Sequence, residues 1–300
     1  MTRLFATFAI LGFGIFPRLL AQTQVSVDLS TKRAEYLLYE PIKVDVKVTN
    51  LLAQPLDLNR MSKKEPWLDF FVTVRRDEEI HHTEPSWKAP QLTLLSGQVK
   101  WLSVDLLPLF LIRDPGEYRV VAQVTVGENR ILSNSLKFTV MNGTMIWEQN
   151  YTAPADPNDP AKNPRPRLYS LLVHRTEQGQ VLYVRIQDPE QHRVYGTISL
   201  GNTIDYGKPH TRIDQQGNFH VLHQLGTRLF SYSSFSPSGK RLVARLFSDI
   251  SSTPKLITGE NDETLIVGGE EIFTDEKEKE RIIPTPPLAP QILPEKRPKK

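Results

Sequence analysis

In the stretch from Tyr39 to Asn50, YEPIKVDVKVTN, Ile42, Val44, Val46 and Val48 alternate with Lys43, Asp45, Lys47 and Thr49. A period of two sends successive side chains to opposite faces of an extended chain, so this is a strand with one buried side. The alternation recurs from Val25 to Val140, broken by turn-prone residues, with candidate strands at Val25–Leu29, Trp67–Arg75, Leu92–Leu94, Val99–Leu106, Gly116–Val126 and Ser135–Met141. No segment of helical length carries an i, i+3, i+4 apolar stripe, which predicts an all-β chain. About seven short strands in about 100 residues suit a β-sandwich.

Two details sharpen that expectation. In RDPGEYRVVAQVTV, Asp114-Pro115-Gly116 supplies a turn, and Tyr118 opens a strand whose Val120, Ala122, Val124 and Val126 share its face. This resembles the tyrosine corner of immunoglobulin-like domains, in which the ring is buried and its hydroxyl bonds nearby backbone. Val120 stands where antibody domains carry Cys, so the likeness is to the wider sandwich class. With YEPIKVDVKVTNLLAQPLDL early and SNSLKFTV late, the segment resembles the immunoglobulin-like modules of bacterial secreted proteins, including macroglobulin-type and proteinase-inhibitor-type sandwiches. The resemblance implies a fold and transfers no site.

The second half repeats itself. RLYSLLVHRTEQGQVLYVRIQD from Arg167 aligns with RLFSYSSFSPSGKRLVARLFSD from Arg228, which sets Leu182, Val184 and Ile186 against Leu242, Ala244 and Leu246 as inward residues. Arg185 and Arg245 then point outward. The turns TEQG, DQQG and SPSG end in Gly179, Gly217 and Gly239, where glycine tolerates positive φ. The stretch HTRIDQQGNFHVLHQLGTRLFSYSSFSPSGKRLVARLF is similar to β-propeller repeats of secreted bacterial proteins, although closed propellers have at least four blades. The expected architecture is therefore all-β: an N-terminal immunoglobulin-like sandwich (22–145), a proline-rich linker (146–166), a domain of two blade-like repeats (167–272) and a disordered charged, proline-rich tail (273–300).

Residues 1–21 combine a basic Arg3, an apolar run from Leu4 to Phe16 and a small Ala21, the layout of a secretory signal peptide. That run is shorter than the roughly 20 residues of a membrane span, so no stable span is expected after cleavage. The expected localisation is secreted or periplasmic. There is no cysteine, so stability must come from apolar burial. The net charge of +3 resides in Arg3, Arg18 and a tail with more basic than acidic residues, which leaves a body with no electrostatic footprint for nucleic acid.

Histidines are the first candidates for chemistry. The spacing of His220 and His223 is odd, which sends them to opposite faces of a strand, so no shared metal and no cofactor are expected. There is no G-x-S-x-G, no thiol nucleophile and no phosphate loop. Asp188, Asp205, Asp214 and Asp249 border turns, where Asp commonly bonds its own backbone. Asp188 and Asp249 nonetheless align between the repeats, which keeps a hydrolase or its accessory subunit, acting on glycans or peptides, as the alternative beside a proteinase inhibitor.

What remains is surface. Phe219, Val221 and His223 share one face of a strand, and His220, Leu222 and Gln224 share the other, with Phe230 and Tyr232 on the next strand. Aromatics at this density serve either as a stacking platform or as core between sheets. The binding candidates are Tyr206, His210, Phe219, His223, Phe230 and Tyr232, with no catalytic residue. The expected function is that of an exported, non-enzymatic binding or scaffolding protein whose partner is an envelope or extracellular protein or glycan.

Overall fold

The structure is a computed structural model that describes residues 25–61, 66–75, 78–83, 87–155, 164–176, 179–204, 207–260 and 262–273, and the backbone of 291–293. The expected signal peptide lies outside the described residues, as does most of the tail. The fold is all-β. Its first half runs β1 (Val25–Ser30), β2 (Glu35–Leu37), β3 (Lys43–Asn50), β4 (Leu56–Asp57), a single helical turn (Leu58–Met61), β5 (Leu68–Val74), β6 (Glu78–Ile80), β7 (Thr93–Leu94), β8 (Val99–Asp105), β9 (Gly116–Val126), β10 (Asn129–Leu132) and β11 (Leu136–Met141). The second half runs β12 (Thr144–Ala153), β13 (Arg165–Thr176), β14 (Gly179–Asp188), β15 (Arg193–Thr203), β16 (His210–Ile213), β17 (Phe219–Gly226), β18 (Leu229–Phe235), β19 (Arg241–Ser248), β20 (Lys255–Thr258), β21 (Thr264–Val267) and β22 (Glu270–Ile272). A last strand, β23 (Gln291–Leu293), pairs with β8.

Four principal sheets follow one another, stacked face to face as propeller blades are. Sheet I has the order β1-β3-β8-β23 and sheet II the order β2-β11-β9-β5-β6, with β10 beside β9. Sheet III is the meander β12-β13-β14-β15, and sheet IV has the order β16-β17-β18-β19-β22. The alternation in β3 does what the period predicts: Val44, Val46 and Val48 are buried and join one core with Phe70, Val72, Tyr118, Val120 and Val124 of sheet II. Tyr118 stacks on Phe138, and its hydroxyl donates to the Asp114 carbonyl at 2.5 Å.

Sheets III and IV enclose a second core made by Tyr169, Leu171, Leu182, Val184, Ile186 and Leu200 against Phe219, Val221 and Phe235. The repeated sequence maps onto equivalent hairpins, β13–β14 and β18–β19. Gly217 and Gly239 take φ of +77° and +82° in their turns, as the turn pattern requires. The expected core partners are corrected: Leu182, Val184 and Ile186 pack with Phe219, Val221 and Phe235, while Leu242, Ala244 and Leu246 lie outside that cluster and Ala244 is only half-buried. A bulge between Ser234 and Phe235 throws Leu242 out of register, and it is exposed while Leu246 stays buried.

Two boundaries also change. Residues 146–153 of the expected linker belong instead to an edge strand paired with β13 from Thr144 to Ala153, where Trp147 packs on Phe219 and Tyr151 on the same core. Residues 156–163 lie outside the described residues. Within the expected disordered tail, Gln291–Leu293 forms strand pairs with Trp101–Ser103.

The halves are joined by a buried contact. Leu37 of β2 packs with Leu172 and Tyr183 of sheet III. Tyr39, at φ 65°, turns the chain there, and the Leu38 carbonyl accepts from Arg185 Nη2 at 2.9 Å and from Thr197 Oγ1 at 2.9 Å. The Thr197 amide donates to the Tyr39 carbonyl at 3.2 Å. Beside this, Arg33 bridges the Glu40 carboxylate at 2.6 Å and the Tyr183 hydroxyl at 3.2 Å, and His174 Nε2 donates to Glu35 at 2.9 Å. Burial pushes the Glu40 carboxyl up against the opposing pull of Arg33, and it pushes the Tyr183 hydroxyl up to about 12.

Candidate functional site

The chemistry-bearing residues of the second half lie on the two faces of sheet IV. Pairing of β17 with β18 sets Phe219 opposite Phe235, Val221 opposite Ser233 and His223 opposite Ser231, so these six share the face toward sheet III. His220, Leu222 and Tyr232 take the other face, where a two-stranded hairpin, β20–β21, covers them through Leu256 and Ile266.

On that covered face a polar chain runs through the sheet. His220 Nε2 donates to Asp214 at 3.1 Å, which leaves Nδ1 to accept from the Tyr232 hydroxyl at 2.8 Å. Asp214 is held in turn by the amide and side chain of Asn218 at 2.7 and 2.9 Å. All three members are largely buried, and burial raises the Tyr232 hydroxyl above its ordinary range. A tyrosine that hands its proton inward to a histidine fixed by a carboxylate is a locking network for the strand pair. At its edge, Arg212 contacts Thr258, and Gln215 donates to Asp262 at 2.8 Å, which fastens the hairpin to β16 and its turn.

The sequence candidates therefore do not converge. Phe219 and His223 are buried toward sheet III, Phe230 and Tyr232 are buried under the hairpin, and His210 is exposed on the edge strand β16 opposite Leu222. Tyr206 lies outside the described residues. Asp188 is buried and bonded to Arg167 at 3.2 Å while it accepts from the amides of Glu190 and Gln191. The carboxylate of its repeat counterpart Asp249 accepts a 3.4 Å bond from Thr253 and faces no arginine partner like Arg167 among the described residues, so the two carboxylates are not equivalent. Among the described residues no group of three or more His, Asp or Glu is placed to hold a metal ion.

Sequence reasoning missed the outer face of the hairpin. Ile257 pairs with Leu265 and Lys255 with Val267, which puts Ile257, Leu265 and Val267 on one face, exposed at 36, 41 and 41 per cent. Leu256 and Ile266, one residue out of phase, face inward. The hairpin thus carries apolar side chains on both sides, with the exposed Lys255 at one corner of the outer face, whereas a solvent-facing strand would alternate fully with polar residues. The signal was present as LIT and LIV, two continuous apolar runs.

His223 titrates unusually. Complete burial, with the Arg241 guanidinium adding to it, lowers its pKa to about 4, although the backbone of Asn202 and Ser231 opposes the shift. The unfolded chain, with an ordinary value near 6.5, takes up the proton first as pH falls. The stability of the neutral form is therefore present above about pH 6.5 and declines toward pH 4, by about 3 kcal/mol for this group. Urea titrations at pH 7 and pH 4.5 are expected to show this loss, and His223→Gln is expected to flatten it.

No protein-family model and no curated protein matches this chain. Among solved structures, an alkylpurine DNA glycosylase of Pseudomonas fluorescens is similar over 39% of this chain and 30% of its own, at 16% identity and TM-score 0.26. A β-glucosidase of Listeria innocua is similar over 39% and 16%, at 15% identity and TM-score 0.25. The sporulation control protein Spo0M of Bacillus subtilis is similar over 86% and 93%, at 10% identity and TM-score 0.26. At such scores none of these superpositions bears on function. Among the described residues no helix is long and apolar enough to cross a membrane.

Proposed function

We propose that this is an exported, non-enzymatic binding or scaffolding protein of the cell envelope or extracellular space, and that the outer face of the β20–β21 hairpin is where a protein partner docks. The observation that carries the reading is the exposure of Ile257, Leu265 and Val267 together on a sheet face whose reverse is already used for packing. Grouped apolar side chains on a rigid support are what association consumes. The buried junction between the halves suits a scaffold, since it fixes how that face is presented. His220, Asp214, Asp188 and Tyr232 are engaged in internal bonds, which favours binding over hydrolysis.

The first half is, in this reading, an immunoglobulin-like module. The order β1-β3-β8 in one sheet and β11-β9-β5 in the other reproduces a two-sheet Greek-key arrangement, and the Tyr118–Asp114 bond sits at the start of β9, where a tyrosine corner belongs. The blade-like repeats follow it as the presenting body.

The test is chemical crosslinking of the mature protein in extracts of its own envelope, comparing wild type with Ile257→Lys/Leu265→Lys. The variant is expected to keep its circular dichroism melting curve and to lose roughly tenfold or more of the specifically captured partner. Undiminished capture by the variant, or appreciable turnover of glycan, peptide or ester panels by the wild type, overturns the reading.

A further inference from the structure

The face of sheet IV turned toward sheet III is apolar at one end, where Phe219, Phe235 and Tyr169 meet, and polar at the other. There His223 lies opposite Ser231, and Ser233 is two residues along the same strand, so the two hydroxyls and the ring lie within roughly 7 Å of one another by strand geometry. All three side chains are at most 2 per cent exposed. Neither hydroxyl has a hydrogen-bond partner among the described residues, and the His223 ring meets only the backbone of Asn202 and Ser231.

Orphaned polar atoms are rare inside proteins, and two hydroxyls at alternate positions of one strand, beside a buried imidazole, mark a place built around something polar. The chemistry of the group narrows what that is. Two hydroxyls on one face of β18 can donate toward the space between the sheets, with the imidazole edge beside them. The Arg241 guanidinium, which donates to the Ser199 carbonyl at 2.7 Å and lies 5.4 Å from the Phe235 ring, sets a positive potential that is felt at His223. Sheet III contributes backbone rather than bulk here: a bulge at Leu200 separates Ser199 from Gly201, and Gly201 pairs with the inward Leu182 without a side chain of its own.

We propose that Ser231, Ser233 and His223, beside Arg241, form an internal binding site for one halide-sized anion between sheets III and IV. Hydroxyl donors without a carboxylate among their hydrogen-bond partners, beside a cation, favour an anion over a metal ion, and two hydroxyls offer too few donors for a phosphate. Bound there, the anion ties β17 and β18 to one another and sits against β15, so it binds the folded chain and not the unfolded one.

The test uses the full mature protein. Thermal unfolding is followed at pH 7 in sodium chloride, sodium bromide and sodium gluconate at equal ionic strength, and crystals are soaked in bromide for anomalous scattering. The halides are expected to raise Tm by about 3 °C or more over gluconate in a saturable way. A bromide peak is expected within reach of both hydroxyls. Ser231→Ala/Ser233→Ala removes the donors without leaving new ones unpaired, so it is expected to fold and to lose the halide dependence. Equal Tm in all three salts, an unchanged halide response in the double variant, or density at the site explained by water alone each overturns the proposal.

Discussion

Val184→Asp is expected to abolish the cooperative unfolding transition of the second half. Val184 is fully buried in the core between sheets III and IV, flanked by Leu182 and Ile186 on its own strand and facing Phe219, Val221 and Phe235. The side chains named around it are apolar, so a carboxylate placed among them is poorly hydrated. Such burial costs several kcal/mol even after the group takes up a proton, which is of the order of the whole stability of a domain this size. Far-ultraviolet circular dichroism melting of the purified variant decides it: a transition within a few degrees of wild type would show that this core does not hold the domain.

Arg185→Asp, one residue along, is expected to destabilise by about 4 kcal/mol through a different mechanism. Arg185 Nη2 and Nε donate to the Leu38 carbonyl and to Thr197 Oγ1, and the guanidinium lies 5.6 Å from the Tyr39 ring. A carboxylate in its place loses both charged donations and faces the same carbonyl it should have been drawn to. Burial already lowers the pKa of Arg185, so the position is one where charge is tolerated only with partners. Arg245→Asp is the control: Arg245 is exposed and pairs with Glu271 at 3.6 Å, so its loss is expected to cost less than about 1 kcal/mol. Denaturant midpoints of the two variants separate the cases, and equal midpoints would show that the junction contributes nothing to stability.

The contrast between these two arginines shows where the sequence stopped being legible. Strand period alone sends Val184 inward and Arg185 outward, and in sheet III both statements hold. What period cannot say is that the outward face of one sheet is the inward face of a junction with another, because β2 arrives from 147 residues away, the separation between Leu38 and Arg185. The same limit hid the strand at Thr144–Ala153, most of whose residues face solvent on an edge while Trp147, Tyr151 and the buried Ala153 turn inward. Local signals fared better. The faces of β17, the positive φ at Gly217 and Gly239 and the Tyr118 hydroxyl bond follow from alternation and turn chemistry within a few residues. The candidate site divided along the same line: the phases of Phe219, His223 and Tyr232 could be read from the strand, but which sheet covers each face could not.

The arrangement of β2 sets an order for folding. Sheets III and IV grow almost entirely by joining chain neighbours across short turns, so their loops close at small entropic cost. The first half has no such route, because β2 lies parallel to β11 and the Asn134 side chain clasps the backbone of Leu29 at a separation of 105 residues. The Leu38 and Tyr39 carbonyls can be offered to Arg185 and Thr197 only after β2 has found β11, so the join between the halves closes late and depends on the slowest pairing in the molecule. A chain interrupted before that point would hold a formed second half beside an unlatched first, with the donors of Arg185 and Thr197 still turned to water.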